Sequence, residues 1–373
     1  MNNKTERFPY IWSLFILRGQ GFHLGHLHNI NEALKISKFL IILLGSHNKA
    51  IDFDDPWTVE QRREMIEASL TEDQKTRIYF QYIEDRLYSN STWIAMAQEK
   101  VDSILLQYSR YRLNAIDKNK QVKMCIIGHS KDESSWYLKA FPHLDLVELP
   151  KFNIFESDGP INATDIRHYI YENKFGHAKA LMPSGTYNWI IKNWINTPDA
   201  KYVKDWYDFE MKYEEPYLTQ PYAVNFYTAD AVVIHSGHVL LGRRKNFPGK
   251  DYWAIIGGHV NANETAQEAS VRELYEETKI RISPLELQKC LKFEKLFDHP
   301  KRSKRCCMRT KKGRTISMTY CYVLDNELQL PYIEADDDIA EVKWVPFSDI
   351  KNMRNVLFED HADILDYCIN HIN

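Results

Sequence analysis

The chain has 373 residues, 44% hydrophobic and 27% charged, with a formal net charge of −3. At roughly 150 residues per domain this length suits two domains with cores of their own, and the balance excludes a disordered scaffold or a global pull toward nucleic acid or acidic membranes. The six cysteines (Cys125, Cys290, Cys306, Cys307, Cys321, Cys368) make no CxxC metal pair and no disulfide framework, so a reducing cytoplasm is the expected compartment.

The first apolar run, IWSLFIL at 11–17, is too short to span a membrane and is read as a buried strand. A helix follows over about 25–37, then FLIILLG (39–45), a helix after Pro56, and RIYFQYI (77–83). Further runs are DSILLQY (102–108), VKMCIIG (122–128) and LDLVEL (144–149). Short apolar strands separated by helices predict a parallel sheet covered on both faces, a doubly wound α/β domain over 1–180. Ligands of such sheets bind beyond the carboxyl ends of the strands, where RGQGFHLGH (18–26), Gly45-Ser46 and GHSKD (128–132) fall. An aromatic-rich, charged stretch at 181–220 reads as a helical connector. An α+β domain is expected over 221–373, opening with two β-rich runs joined by a hairpin turn at Ser236-Gly237.

The loop at 18–26 leaves a strand and enters a helix, so its backbone N–H groups and the helix dipole attract phosphate. Gly19, Gly21 and Gly25 allow close approach, and His23 and His26, three apart, can both donate to phosphoryl oxygens that gain charge during transfer. A capping His23 beside a merely satisfied His26 is the competing reading; the strand, glycines and helix favour phosphate, while His28 keeps an ordinary structural role. His23-Leu24-Gly25-His26 resembles the HxGH motif of the nucleotidyltransferase superfamily. FILRGQGF (15–22) is similar to the FIGRFQPF lead-in of archaeal-type nicotinamide mononucleotide (NMN) adenylyltransferases, departing at Leu17, Gly19 and Gly21. The segments 45–66 and 127–142 are similar to that family as well, and INATDIR (161–167) to its ISxTxIR motif, with Asn162 where serine is usual.

The resemblance implies transfer of AMP from ATP to NMN, giving NAD and pyrophosphate without a protein nucleophile, with Mg²⁺ carried by the triphosphate. By it, His23 and His26 stabilise the ATP phosphates, Arg167 with Arg18 holds the β and γ phosphates, and Thr164 helps seat the triphosphate. Lys131 and Asp132 line a nucleotide site shared with Gly19, Gln20, Gly25, Gly45, Ser46, Gly128 and Asn162. Trp136 and Tyr137 either stack on the nicotinamide or pack internally.

In the second half, GGHVNANETAQEASVRELYEETKI (257–280) places Glu264, Arg272, Glu273, Glu276 and Glu277 at fixed intervals after Gly258. Thr265 and Glu268 form a capping box, so a helix starts there. Glu273, Glu276 and Glu277 then share a face and repel by about 0.2–0.5 kcal/mol per pair unless neutralised. A hard divalent cation is the natural neutraliser, a solvated acidic face the bland alternative. The stretch resembles the Nudix box of pyrophosphohydrolases, with Lys279 alone off the pattern, where glycine permits a left-handed helix end. The resemblance implies Glu273 and Glu277 as main metal ligands, Glu276 assisting, the Gly258 carbonyl contributing, and Arg272 orienting Glu264 or a neighbouring carboxylate. FDHPKRS (297–303) and GRTIS (313–317) resemble a segment of ADP-ribose-processing Nudix domains fused to this adenylyltransferase, interrupted here by CCMRTKK (306–312). The eight basic residues of 301–314, Arg302 and Arg314 among them, suit a pyrophosphate; a solvated basic loop is the alternative. Asp336, Asp337 and Asp338 supply a base or ligand, or form an exposed turn; Tyr252 and Trp253 stack on adenine or fill the core.

The expected enzyme is therefore bifunctional, using ATP, NMN, NAD and ADP-ribose as small-molecule partners, Mg²⁺ or Mn²⁺ as cofactor, and neither membrane nor nucleic acid. A homo-oligomer stays open. The alternatives are a nucleotidyltransferase for another phosphate acceptor and a Nudix-like sensor of ADP-ribose or NAD; the intact carboxylates speak against the sensor.

Overall fold

The computed structural model describes residues 8–112, 123–129, 133–149, 152, 161–222, 224–300, 302, 314–325 and 329–372. The chain divides into two compact units, Met1–Val203 and Lys204–Asn373.

The first unit runs β1 (Tyr10–Leu17), α1 (Leu24–Ile36), β2 (Ser37–Leu44), α2 (Val59–Glu67), α3 (Glu72–Arg77), β3 (Ile78–Tyr82), α4 (Asn90–Arg112), β4 (Met124–Gly128), β5 (Asp145–Glu148), α5 (Ala163–Tyr171), α6 (Phe175–Leu181) and α7 (Ser184–Asn193). The strands form one parallel sheet in the order β3-β2-β1-β4-β5. Side chains alternate between its faces, so Phe15 and Leu17 pack with Ile30 and Leu34 of α1 and Ile66 of α2, while Trp12, Leu14 and Ile16 pack with Ala97, Val101 and Ile104 of α4. Helices on both faces give the doubly wound arrangement. One element differs from expectation: 102–108, grouped above with the apolar strands, lies inside α4. Its buried Val101 and Ile104 continue from Ala97 at helical spacing, a period that a seven-residue window of apolar text does not reveal.

The boundary between the units falls inside the stretch 181–220. α7 belongs to the first unit, where Thr186 N–H donates to Ser69 Oγ at 2.9 Å and Trp194, just past the helix, packs edge-on against Trp57 at 5.2 Å. α8 (Pro198–Glu214) carries the chain across the boundary.

The second unit continues with β6 (Asn225–His235), β7 (His238–Arg244), β8 (Trp253–Ala254), β9 (Ile256–His259), α9 (Ala266–Thr278), α10 (Pro284–Lys289), β10 (Leu291–Phe297), β11 (Arg314–Val323), β12 (Ile339–Pro346), α11 (Phe347–Ile350) and α12 (His361–His371). Its mixed sheet has the order β10-β11-β6-β7-β12, with β8 on β7 and β9 on β6. β6 and β11 are parallel and the remaining pairs antiparallel. Ser236 (φ 47°) and Gly237 (φ 74°) make the expected hairpin turn, both in the left-handed region that a type I′ turn requires. Ala229, Ala231 and Val233 pack toward α9, and Val232 and Ile234 toward α12.

α9 begins at Thr265, whose hydroxyl accepts from Glu268 N–H while the Glu268 carboxylate accepts from Thr265 N–H, a capping box read directly from the sequence. It ends at Lys279 in the left-handed conformation (φ 45°, ψ 29°), with Nζ paired to Asp336 at 2.7 Å. That exposed pair contributes little. Lys279→Gly is therefore expected to raise stability by up to about 1 kcal/mol, measurable by denaturant titration; a fall in stability would mean that the pair outweighs the backbone strain.

Candidate active sites

The carboxyl ends of β1, β2 and β4 lie at the edge where the strand order reverses, the usual ligand crevice of such sheets. At the start of α1, His23 is the N-cap. His26 N–H donates to His23 Nδ1 at 3.3 Å and His23 N–H to His26 Nδ1 at 3.5 Å, with the rings stacked at 3.6 Å. An imidazole that accepts at Nδ1 carries its proton on Nε2 when neutral, so the cap fixes both rings as Nε2–H donors. The capping role is thus compatible with the expected chemical one. Gly25 makes room for the pair, since a Cβ there would lie 3.1 Å from His23 Nδ1. His28 stacks on Phe152 at 4.9 Å, in keeping with an ordinary packing role.

Gly19 (φ 70°) and Gly21 (φ 91°), which stand where the resembled motif has bulkier residues, both adopt left-handed backbone. Their loop is tied down by Gln20, whose amide donates to Trp57 O (3.0 Å) and accepts from Trp57 N–H (3.2 Å). Arg167 is buried on α5; it donates to Gln20 O (2.9 Å), Asp54 Oδ1 (2.8 Å) and Thr164 Oγ1 (3.1 Å), and its Nε has no hydrogen-bond partner among the described residues. Asn162 caps α5 by accepting from Thr164 N–H at 3.0 Å, the task the usual serine would perform. His23, His26, the loop 18–21 and the ends of β2 and α5 thus come together across more than 140 residues.

Gly45 and Ser46 offer their carbonyls to the fully buried Arg62, at 2.7 and 3.0 Å; Arg62 also donates to Arg18 O. Burial pushes the Arg62 guanidinium down to about 10. Arg62 belongs to none of the motifs legible in the sequence. Ser46 Oγ donates to Asp85 Oδ2 (2.7 Å), which also faces Arg18 at 3.5 Å. A Cβ on Gly128 would meet Leu138 at 2.5 Å, which makes that glycine a packing requirement. Trp136, 37% exposed, lies edge-on to Trp93 at 5.5 Å, while Tyr137 packs on the core. Lys131 and Asp132 lie outside the described residues.

In the second unit, Arg272 grips Glu264 through Nε (2.9 Å) and Nη2 (2.7 Å) and donates from Nη1 to Glu273 (2.8 Å) and Glu276 (2.9 Å). The guanidinium holds Glu264 down at about 2. Glu273 lies over Gly258, where a Cβ would fall 2.3 Å from its Oε1. Glu277 is buried and its Oε2 has no hydrogen-bond partner among the described residues; burial, with the charge of Glu273, pushes it up to about 8. Burial also raises Glu273. Among the described residues no three His, Cys, Asp or Glu side chains are gathered as a metal site, and Glu273 and Glu276 both accept from Arg272. The donor set still fits a hard cation: an orphaned buried carboxylate oxygen, a second carboxylate one turn earlier, and a backbone close by without a side chain.

Gly258, Arg272, Glu273 and Glu277 line a cavity of about 290 Å³ whose walls also include Asp230, Arg244, Arg302, Asp338, Phe358 and His361, while Glu264 and Glu276 lie outside its lining. Arg302 pairs with Asp360 at 3.1 Å and reaches the cavity, whereas Arg314 is outside its lining and donates to Asp298 O at 2.8 Å. Asp230 is buried and accepts from Ser317 Oγ; burial raises its pKa. Asp336 pairs with Lys279, and Asp338 accepts from Asn246 at 3.0 Å. Tyr252 lies 6.3 Å from Trp206, and Trp253 packs at the edge of the α12 core. Phe358, which the sequence did not single out, lines the cavity, whereas Tyr252 and Trp253 do not. The rest of the 301–313 stretch lies outside the described residues.

Two family profiles match: a cytidylyltransferase-like domain over residues 20–168 and a NUDIX domain over 225–368, so the class is a nucleotidyltransferase joined to a Nudix domain. The first half is 34% identical over 184 residues to a nicotinamide/nicotinic acid mononucleotide adenylyltransferase of Acinetobacter baylyi, covering 49% of this chain and 86% of that protein. The second is 31% identical over 139 residues to an ADP-ribose pyrophosphatase of Methanocaldococcus jannaschii, covering 37% and 70%. The chain is also similar to the crystal structure of a bifunctional NMN adenylyltransferase/ADP-ribose pyrophosphatase from Francisella tularensis, complexed with AMP and Mn ion, with a TM-score of 0.84, 33% identity, and coverage of 98% of this chain and 100% of that one. The chain belongs to the family of bifunctional NMN adenylyltransferase/ADP-ribose pyrophosphatases. Among the described residues no helix is long and apolar enough to cross a membrane.

Proposed function

We propose that the first unit transfers AMP from ATP to NMN through the Nε2–H groups of His23 and His26 and the guanidinium of Arg167, and that the second hydrolyses ADP-ribose to AMP and ribose 5-phosphate. What carries the reading is that both motifs fold into charge-complementary sites in a chain similar from end to end to one bifunctional enzyme. In the transferase, the two imidazoles donate to phosphoryl oxygens as charge builds, Arg167 and Arg18 hold the β and γ phosphates, and Thr164 with Asn162 fixes the start of α5. No protein nucleophile is needed: positioning and charge neutralisation lower the barrier. In the hydrolase, Glu273, Glu277 and the Gly258 carbonyl would hold a divalent ion, Mg²⁺ with Mn²⁺ as the alternative. The ion supplies Lewis acidity toward the diphosphate. Arg272 keeps Glu264 ionised and anchors the face on which Glu273 and Glu276 stand.

The test is a pair of assays on the full chain: NAD and pyrophosphate formation from ATP with NMN and a panel of other phosphate acceptors, and hydrolysis of ADP-ribose, NADH and ADP-sugars with Mg²⁺, Mn²⁺ or chelator. NMN and ADP-ribose should be the best substrates, with hydrolysis abolished by chelation. A better acceptor than NMN, or hydrolysis indifferent to chelator, overturns the corresponding half.

A further inference from the structure

The cavity of the second unit has a wall to which the reading above gives no role. It is the turn 358–361, which leads into α12. Phe358 N–H donates to Trp253 O (2.9 Å), Ile255 N–H donates to His361 Nδ1 (2.9 Å), and His361 N–H donates to Phe358 O (3.0 Å), so the turn is pinned to the run 253–255 at both ends. Between those bonds Glu359 is held at φ 43°, left-handed backbone that a glutamate rarely adopts. The result is that Phe358, Glu359 and His361 all face one cavity, while Asp360 reaches Arg302, another residue of its lining.

Electrostatics define what this wall can bind. The Arg244 guanidinium lies over the Phe358 ring at 4.6 Å, held by Pro248 O at 2.7 Å. Arg302 is fixed by Asp360 through two contacts, at 3.1 and 3.3 Å, with both side chains almost fully buried. His361 is buried beside these two cations. Burial first, then the charges of Arg302 and Arg244, hold its pKa well below the usual histidine range. A third cation would have to be desolvated against two others, whereas a neutral ring adds a hydrogen-bond donor without adding charge. Its Nδ1 already accepts from Ile255, so the ring's proton sits on Nε2.

We propose that His361 is a substrate-contacting residue of the hydrolase: its Nε2–H, acting with Arg244 and Arg302, takes a phosphate oxygen of a nucleoside diphosphate derivative. This rests on the hydrolase reading above and extends it from the carboxylate helix to the wall that recognises the substrate. The contact is a binding one, since the ring carries no charge with which to act as an acid and its acceptor nitrogen, already bonded to Ile255 N–H, is not available to act as a base.

Two variants separate contact from scaffolding. His361→Asn keeps an oxygen that can accept from Ile255 N–H but has a shorter side chain with no donor at the position of Nε2, while His361→Gln places an amide N–H near that position. In steady-state hydrolysis of ADP-ribose, His361→Asn should raise KM roughly tenfold, the loss expected for one hydrogen bond to a charged group. His361→Gln should recover most of it, with thermal midpoints of both variants close to wild type. A KM for His361→Asn within twofold of wild type overturns the proposal. So does a His361→Gln variant no better than His361→Asn, or a fall in kcat and midpoint common to both, which assigns the ring to structure alone. A wild-type chain without ADP-ribose hydrolysis removes the hydrolase reading and this contact together; an active wild type with an unaffected Asn variant removes the contact alone.

Discussion

Replacing His26 by alanine is expected to lower NAD formation from ATP and NMN by about 10²–10³-fold, the usual effect of removing one preorganised donor from a developing oxyanion. Hydrolysis of ADP-ribose by the same preparation should stay within twofold, because the Nudix motif lies in a different compact unit. His23 allows a sharper version, because it also caps α1. His23→Ala should remove both functions, costing about 1 kcal/mol of stability along with transfer activity. His23→Asn keeps a good N-cap and loses the Nε2–H, so stability should survive while transfer does not. If His23→Asn retains transfer, the histidine is a cap and no more. If a folded His26→Ala variant loses both activities, the two sites are not independent.

The second large effect is expected at Glu277. Glu277→Gln should reduce divalent-metal-dependent hydrolysis by at least about 10²-fold and leave adenylyl transfer intact; unchanged hydrolysis would refute the metal assignment. The same substitution has a signature in the metal-free protein. Burial raises the Glu277 carboxyl from its ordinary 4.5 to about 8. Between those two values the folded state keeps a proton that the unfolded chain has released, so stability falls as pH rises, by an amount on the order of a few kcal/mol. Below 4.5 both states are protonated and the penalty vanishes. Thermal midpoints without metal should therefore drop between pH 5 and 8 in the wild type and drop less in Glu277→Gln. Added divalent ion should restore the wild type at pH 8 and leave the variant unmoved. A pH profile shared by both proteins would place the titration elsewhere.

How much of this was legible in the sequence depended on whether the deciding interaction is local. The α9 capping box and the Ser236-Gly237 turn obey rules spanning four residues or fewer, and both formed as read. His23 and His26 were legible for the same reason, as was the carboxylate face of α9. The run 102–108 was misplaced because a short apolar segment looks alike in a buried strand and on a helix face; the helical period emerges only with Ala97 and Val101 included. Gly19 and Gly21 stood out as departures from a motif, and their positive φ gives the reason, which no letter pattern contains. Arg62, Phe358 and His361 were invisible for a different cause. Arg62 matters through carbonyls 16 to 44 positions away, and His361 through a backbone N–H 106 positions earlier. Such partners are created by the fold.

The parallel pairing of β6 with β11 sets a constraint of another kind. Thr228 sits opposite Ser317, so the central strand of the second sheet finds that neighbour about ninety residues later in the chain. Closing so long a loop is entropically slow, and the pairings of β6 with β7 and β9, which lie nearer in the chain, can form before it. During synthesis the first unit can therefore be complete while β6 still shows an unsatisfied edge, the state in which nascent β-rich chains are most prone to aggregate.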